Sequence, residues 1–199
     1  ALATDASWVP ANVGLARTMT ESNPPVARAM VTKALAVNPH SVSALLVLAE
    51  LELNDDKQVE ASTIIQRALK VNSNSLEALS LQASIHYVQG RITRFNKITK
   101  DILTINPLFG DVYRITGKHA ARNYRFDEAV VLTRRALAID STIPQAWSEL
   151  GMHLLRIGDE IDARKALERA FEIDPYNVVT FNLLSMLDTL DKFKTIVDG

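Results

Sequence analysis

The feature that most constrains this chain is a recurrence every 34 residues. Turn positions Pro39, Ser73, Pro107, Ser141 and Pro175 stand at that interval, and each follows an Asn or Asp. The texts before them agree, as in Ala34-Leu35-Ala36-Val37-Asn38 and Ala136-Leu137-Ala138-Ile139-Asp140. Ala61, Phe95, Ala129 and Ala163 form a second column, and Ala49, Ala83, Gly117 and Gly151 a third. Self-similarity with a period of roughly 20 to 50 residues is the mark of stacked supersecondary units. A unit of this length holds two amphipathic helices, A and B, joined by a short turn.

The column residues follow from that geometry. Small residues such as Gly151 and Ala163 let two helix backbones approach, while Trp147, Leu150, Leu154 and Leu167 fill the space around them. One hairpin cannot cover its own apolar face, so it stacks on the next. Asn or Asp before Pro or Ser closes helix B, because a residue before proline disfavours the α region. Gly90 and Gly158 supply the permissive backbone for A–B turns, and Asp159 sits where an N-cap is wanted. Phe95 and Ile102 stand where other units have alanine, which predicts wider helix packing in the third unit.

Composition supports helices and removes several chemistries. Gly and Pro number only 7 each, and aliphatic residues and Ala dominate the apolar fraction. A formal net charge of -1 gives no general attraction to nucleic acid or anionic lipid. With no Cys there is no disulfide, thiolate metal site or thiol nucleophile, although cytosol and periplasm both remain open. No apolar run approaches the roughly 20 residues that span a bilayer, so membrane insertion is not expected.

The fifth unit reads Trp147-x-x-Leu150-Gly151-x-x-Leu154, then Gly158, Ala163, Leu167, Ala170 and Pro175. It resembles the tetratricopeptide repeat (TPR) family, and the resemblance extends over nearly the whole chain. It implies an all-α, right-handed superhelical solenoid of antiparallel helix hairpins whose function is to bind a protein or peptide, without catalysis or a cofactor. The chain is expected to be a single solenoid over 1–199, with repeats at about 7–39, 40–73, 74–107, 108–141 and 142–175. Residues 1–6 match the end of a preceding helix B, and 176–199 read as a terminal helix A plus a cap or the start of a linker. Helices are predicted near 9–22, 24–37, 41–54, 57–71, 75–89, 91–105, 109–123, 125–139, 143–157, 159–173 and 177–190.

Catalytic and metal motifs are missing. His40, His86, His119 and His153 form no His-x-x-x-His pair, and Glu149 with His153 reads as two groups that could equally sit in solvent. Isolated glycines make no phosphate-cradling loop. Asp55-Asp56 and Asp127-Glu128 fall at predicted helix starts, where acids complement the helix dipole.

In the resembled family the concave wall is built by exposed A-helix positions. Here the register gives Val13, Arg17 and Thr20; Leu46, Glu50 and Leu53; Ser80, Ser84 and Tyr87. It continues with Arg114, Lys118 and Ala121; Ser148, Met152 and Leu155; and Asn182, Met186 and Thr189. Arg114, Lys118 and Arg122 lie on one helical stripe, which suits an acidic segment of a partner or, equally, solvation and internal pairing with Asp111 or Glu77. Tyr87 and Met152 suit either docking or burial between A helices. The family's carboxylate clamp of Lys, Asn and Arg is not reproduced, which disfavours chaperone tails. Trp147→Ala is expected to cost roughly 3–5 kcal/mol by opening a cavity.

Three other expectations follow. Exposed terminal helices favour self-association. The text Leu187-Asp188-Thr189-Leu190-Asp191-Lys192-Phe193 resembles the junction where some bacterial repeat arrays enter a metallopeptidase-like domain, so the segment could be the repeat region of a longer enzyme. Pentatricopeptide-like RNA binding is disfavoured by the strict 34-residue spacing and the absence of excess basic charge.

Overall fold

A computed structural model describes residues 8–190. Among these are eleven α-helices and no strand. They are α1 Val9–Met19, α2 Pro24–Val37, α3 Val42–Asn54, α4 Gln58–Val71, α5 Leu76–Val88, α6 Ile92–Ile105, α7 Asp111–Arg122, α8 Phe126–Ile139, α9 Pro144–Arg156, α10 Glu160–Ile173 and α11 Val178–Leu190. Every predicted helix is present, with ends displaced by at most three residues. The expected helix-B ending at 1–6 and the closing segment after Leu190 lie outside the described residues.

The chain divides into two compact units, Ala1–Ile105 and Asn106–Gly199. The first holds the hairpins α1–α2, α3–α4 and α5–α6; the second holds α7–α8, α9–α10 and the lone helix α11. Within each unit a helix B also packs on the next helix A, and successive A helices touch (α1 with α3, α3 with α5, α7 with α9). Stacking therefore buries two sides of an interior A helix. Helix α3, apolar nearly all round, has Leu45, Leu46, Val47, Leu51 and Leu53 buried.

Both kinds of turn repeat in atomic detail. At A–B turns the backbone N–H of Lys57, Arg91, Arg125 and Asp159 donates to the carbonyl five residues back, at 2.8, 2.8, 3.0 and 3.0 Å. This is a Schellman closure, which needs a left-handed residue just before it. Gly90 and Gly158 meet that need at φ 72° and 81°, as expected, while Asp56 and Tyr124 adopt it at 60° and 58° without the help of a glycine. Asp55-Asp56 thus belongs to this turn rather than to the first turn of α4, which corrects the helix-dipole assignment for that pair. Asp127 and Glu128 do lie in the first turn of α8.

At B–A turns the side chains of Asn38, Asn72, Asn106, Asp140 and Asp174 each accept from the backbone N–H two residues on, at 2.9–3.2 Å. The column closes helix B through these Asx turns, which the reading based on proline sterics alone does not contain. Three of the following A helices are then capped by a side chain: Ser41, Ser75 and Asn177 accept from Ala44, Ala78 and Thr180.

The small-residue columns do hold helices close. A Cβ on Gly151 would lie 2.5 Å from Cγ of Leu167, and one on Gly117 would lie 2.8 Å from Oγ1 of Thr133. In the third hairpin Phe95 and Ile102 are buried, the Phe95 ring meets Tyr87 edge-on at 4.9 Å, and backbone contacts between the two helices are the sparsest of the five hairpins.

Candidate functional site

Most of the A-helix face expected to receive a partner in the first unit is occupied by the protein itself. Val13, Leu46, Leu53, Ser80 and Ser84 are buried, because each A helix meets an A neighbour there. The hydroxyls of Ser80 and Ser84 turn back onto the carbonyls of Leu76 and Leu81 at 2.7 and 2.9 Å, and buried Thr20 does the same onto Arg17 at 3.0 Å. Leu46, Leu53 and Ser84 are therefore packing residues, and the assignment of their side chains to an exposed wall is corrected. Tyr87 is half-buried against Phe95, and Glu50 is half-buried. Arg17 is exposed but paired with Glu77 at 3.0 Å, a contact that joins α1 to α5.

The basic stripe of the second unit is likewise engaged. Arg114 binds Asp111 on its own helix and Glu149 on α9, the latter at 3.0 Å. Asp111 is one of the two internal partners foreseen; Glu149 takes the place of the other. Burial pushes the Glu149 carboxyl up from the usual carboxylate range, against the opposing pull of Arg114 and Lys118. For Arg114, burial works to lower the pKa, but Glu149 and Asp111 outweigh it and raise it. His153, one turn along α9, is buried and its pKa falls to about 4 through desolvation. His153 is therefore buried and Glu149 half-buried, and neither sits in open solvent. Their Oε2 and Nε2 atoms have no hydrogen-bond partner among the described residues. Lys118 is half-buried and Arg122 exposed, and both make further contacts.

Beyond Lys118 and Arg122, the accessible side chains on this face are a mixture of apolar and neutral polar groups. Met152 and Leu155 are half-buried on α9, and Met186 is exposed on α11 together with Asn182 and Thr189. A hydrogen bond of 2.9 Å from the Thr180 hydroxyl to that of buried Ser148 sets α11 beside α9. Helix α11 also exposes Val179 and Phe181, in keeping with its place at the end of the described stack.

A concavity of the second unit lies on the B-helix side, which the sequence reading did not consider. It is a groove of about 590 Å³ between α8 and α10. Trp147, Leu150 and Leu154 of α9 make its floor, and Arg134, Lys165 and Arg169 its rim. The volume falls in the range of small-ligand and side-chain sites. Trp147 is only half-buried and anchored by its indole N–H to the Ser141 carbonyl at 2.9 Å. Its truncation would enlarge an open groove rather than create a closed void, so its cost falls to about 2 kcal/mol, below the earlier figure. Asp162 is the one carboxylate in the lining; it bridges Arg134 at 3.1 Å and Lys165 at 2.9 Å. Hydrogen bonding and attraction from Lys165 hold its pKa low, with a smaller pull from Arg134. Three cations against one anion leave the lining net positive. A signal for this site was present in the sequence, since Lys165 and Arg169 are four residues apart on one face of helix B.

Among the described residues no group of three or more His, Asp or Glu side chains is placed to hold a metal ion. No described helix is long and apolar enough to cross a membrane.

No protein-family model matches the sequence. No curated protein matches it either. Solved structures do resemble the fold. The thermophilic TPR protein TTC0263 of Thermus thermophilus superposes with a TM-score of 0.65 at 19% identity, covering 91% of this chain and 99% of that one. PilF of Pseudomonas aeruginosa gives 0.53 at 18% identity, covering 94% and 86%. With the 34-residue period, the paired helices and the recurrent Schellman and Asx turns, these likenesses lead to one statement. The chain is an all-α helical-repeat protein with the tetratricopeptide fold.

Proposed function

We propose that this chain is a non-catalytic interaction scaffold that binds an extended protein segment in the α8–α10 groove. The observation that carries the reading is the pairing of an apolar floor at Trp147, Leu150 and Leu154 with a net-positive rim at Arg134, Lys165 and Arg169. Such a lining fits a bulky apolar side chain followed by a carboxylate, since the floor accepts the first and the guanidinium forks the second. Repeat architecture suits the task, because stacked hairpins hold the groove walls rigid before the partner arrives.

A second reading places the partner on the A-helix face of the same unit. Met152, Leu155 and Met186 favour it, as accessible apolar side chains on neighbouring helices. Arg114 offers little there, because it is largely buried between Asp111 and Glu149, whereas the paired cations of the groove rim stay exposed.

The test is a titration of the protein, with Trp8→Phe as background, by short peptides that pair Leu or Phe with Asp or Glu. Trp147 fluorescence is expected to shift saturably with acidic-apolar peptides and not with their Lys counterparts. Arg169→Glu should abolish the shift while leaving the fold intact, since Arg169 is exposed and, among the described residues, pairs with Glu172 of its own helix. An unchanged affinity in Arg169→Glu would remove the groove from consideration.

A further inference from the structure

The third hairpin breaks a charge pattern that the second, fourth and fifth hairpins keep. At 34-residue spacing, Glu60, Arg94, Glu128 and Asp162 occupy the third position of helix B. In the fourth hairpin Arg125 at the helix start bonds Glu128 at 2.5 Å, three residues on. The equivalent residues in the third hairpin are Arg91 and Arg94, two cations in place of an ion pair. Both are exposed, and neither has a carboxylate partner among the described residues. They also stand at the first turn of α6, where the positive end of the helix dipole makes cations unfavourable. Local stability alone would select the acid.

These arginines line a cavity of about 210 Å³ between α4, α5 and α6, within the first unit. Ser62, Gln66, Gln82 and His86 complete its polar lining, and no carboxylate enters it. The Nδ1 atom of His86 is buried without a hydrogen-bond partner. The pocket thus collects two guanidinium forks, two carboxamides, a hydroxyl and an imidazole nitrogen, with nothing negative to answer them. A multi-oxygen anion can accept from the guanidinium, carboxamide and hydroxyl donors gathered there.

We infer that the cavity framed by Arg91, Arg94 and His86 is a binding site for a phosphate-sized oxyanion, taken either as free phosphate or as a phosphorylated side chain. The site is independent of the α8–α10 groove, and its test does not depend on that reading. Supporting the assignment, burial, followed by Arg91 and Arg94, lowers the His86 pKa, and a bound anion would reverse the effect of the two arginines.

The experiment follows the His86 imidazole resonances during titration with inorganic phosphate at constant ionic strength, with chloride as the reference anion. The expected result is a saturable shift with phosphate only, weakened at least about tenfold in Arg94→Glu and in Arg91→Gln. Arg94→Glu is expected to fold with an unchanged or higher melting temperature, because it gives this hairpin the acid that the second, fourth and fifth hairpins carry. A phosphoserine peptide that binds over about tenfold more tightly than phosphate, and loses that advantage when unphosphorylated, would assign the source to a modified partner. Equal binding of the two would assign it to free phosphate. Linear, non-saturating shifts, or equal affinity in wild type and Arg94→Glu, would overturn the inference.

Discussion

Arg114 on α7 reaches Glu149 on α9 at 3.0 Å while it also binds Asp111. The guanidinium that opens the basic stripe is thereby engaged in joining two neighbouring A helices. Removing it leaves a buried carboxylate uncompensated, which costs far more than the loss of a surface pair. Arg114→Ala is expected to destabilise the protein by about 2–3 kcal/mol, a partly buried version of that effect. Adding Glu149→Leu should recover much of the loss. Urea unfolding of the two single variants and the double variant checks the coupling.

The same helix sets two opposing dependences on pH. His153 has its pKa depressed from 6.5 to about 4 by burial, so its contribution is complete above pH 6.5 and is lost as pH falls toward 4. The shift corresponds to about 3 kcal/mol at most. Glu149 has a raised pKa, so its contribution is present below the ordinary value of 4.5 and is lost as pH rises through the folded-state value. His153→Gln should flatten the decline of the melting temperature between pH 6.5 and 4, whereas Glu149→Gln should leave that decline steeper.

Tyr124 and Asp56 occupy the left-handed position that Gly90 and Gly158 fill in their own hairpins. A side chain there costs roughly 1–2 kcal/mol, less for Asp, whose short polar group tolerates the conformation. Tyr124→Gly is expected to stabilise by about 1 kcal/mol, Asp56→Gly by less, and Gly158→Ala to destabilise by about 1 kcal/mol. Denaturation midpoints of the three variants would establish the order.

Gly110 and Gly14 predict opposite responses to the same added methyl group. At Gly110 it would meet the backbone carbonyl of Ala136 at 2.5 Å, and backbone cannot move aside cheaply. At Gly14, inside α1, nothing lies within 4 Å. Gly110→Ala should cost about 2–3 kcal/mol, and Gly14→Ala should gain up to about 1 kcal/mol from helix propensity. Thermal unfolding of both variants decides it.

The repeat made the helices legible because every hairpin must renew the same buried face, so the columns carry their own evidence. Gly90 and Gly158 announced their turns, whereas Asp56 and Tyr124 adopt the same backbone with no local signal. The Asn and Asp of the B–A turns were visible as a column, but their role lies in a side-chain hydrogen bond, not in the proline that sometimes follows. The candidate wall was less legible. Periodicity assigns Leu46, Leu53 and Ser84 to a helix face, but their depth depends on how closely α1 and α5 flank α3. Glu149 and Arg114 stand 35 residues apart, one step off the period, so no column pairs them. The groove at Trp147 arises between two B helices and depends on side chains that no single repeat contains.

The most direct measurement is the location of a bound acidic-apolar peptide, read by NMR from the Trp147 indole N–H and the methyl groups of Met152 and Met186. The groove account predicts a saturable shift of the indole signal together with backbone signals of α8 and α10, and still methyls at both methionines. Shifts confined to Met152 and Met186, with the indole unmoved, would contradict it.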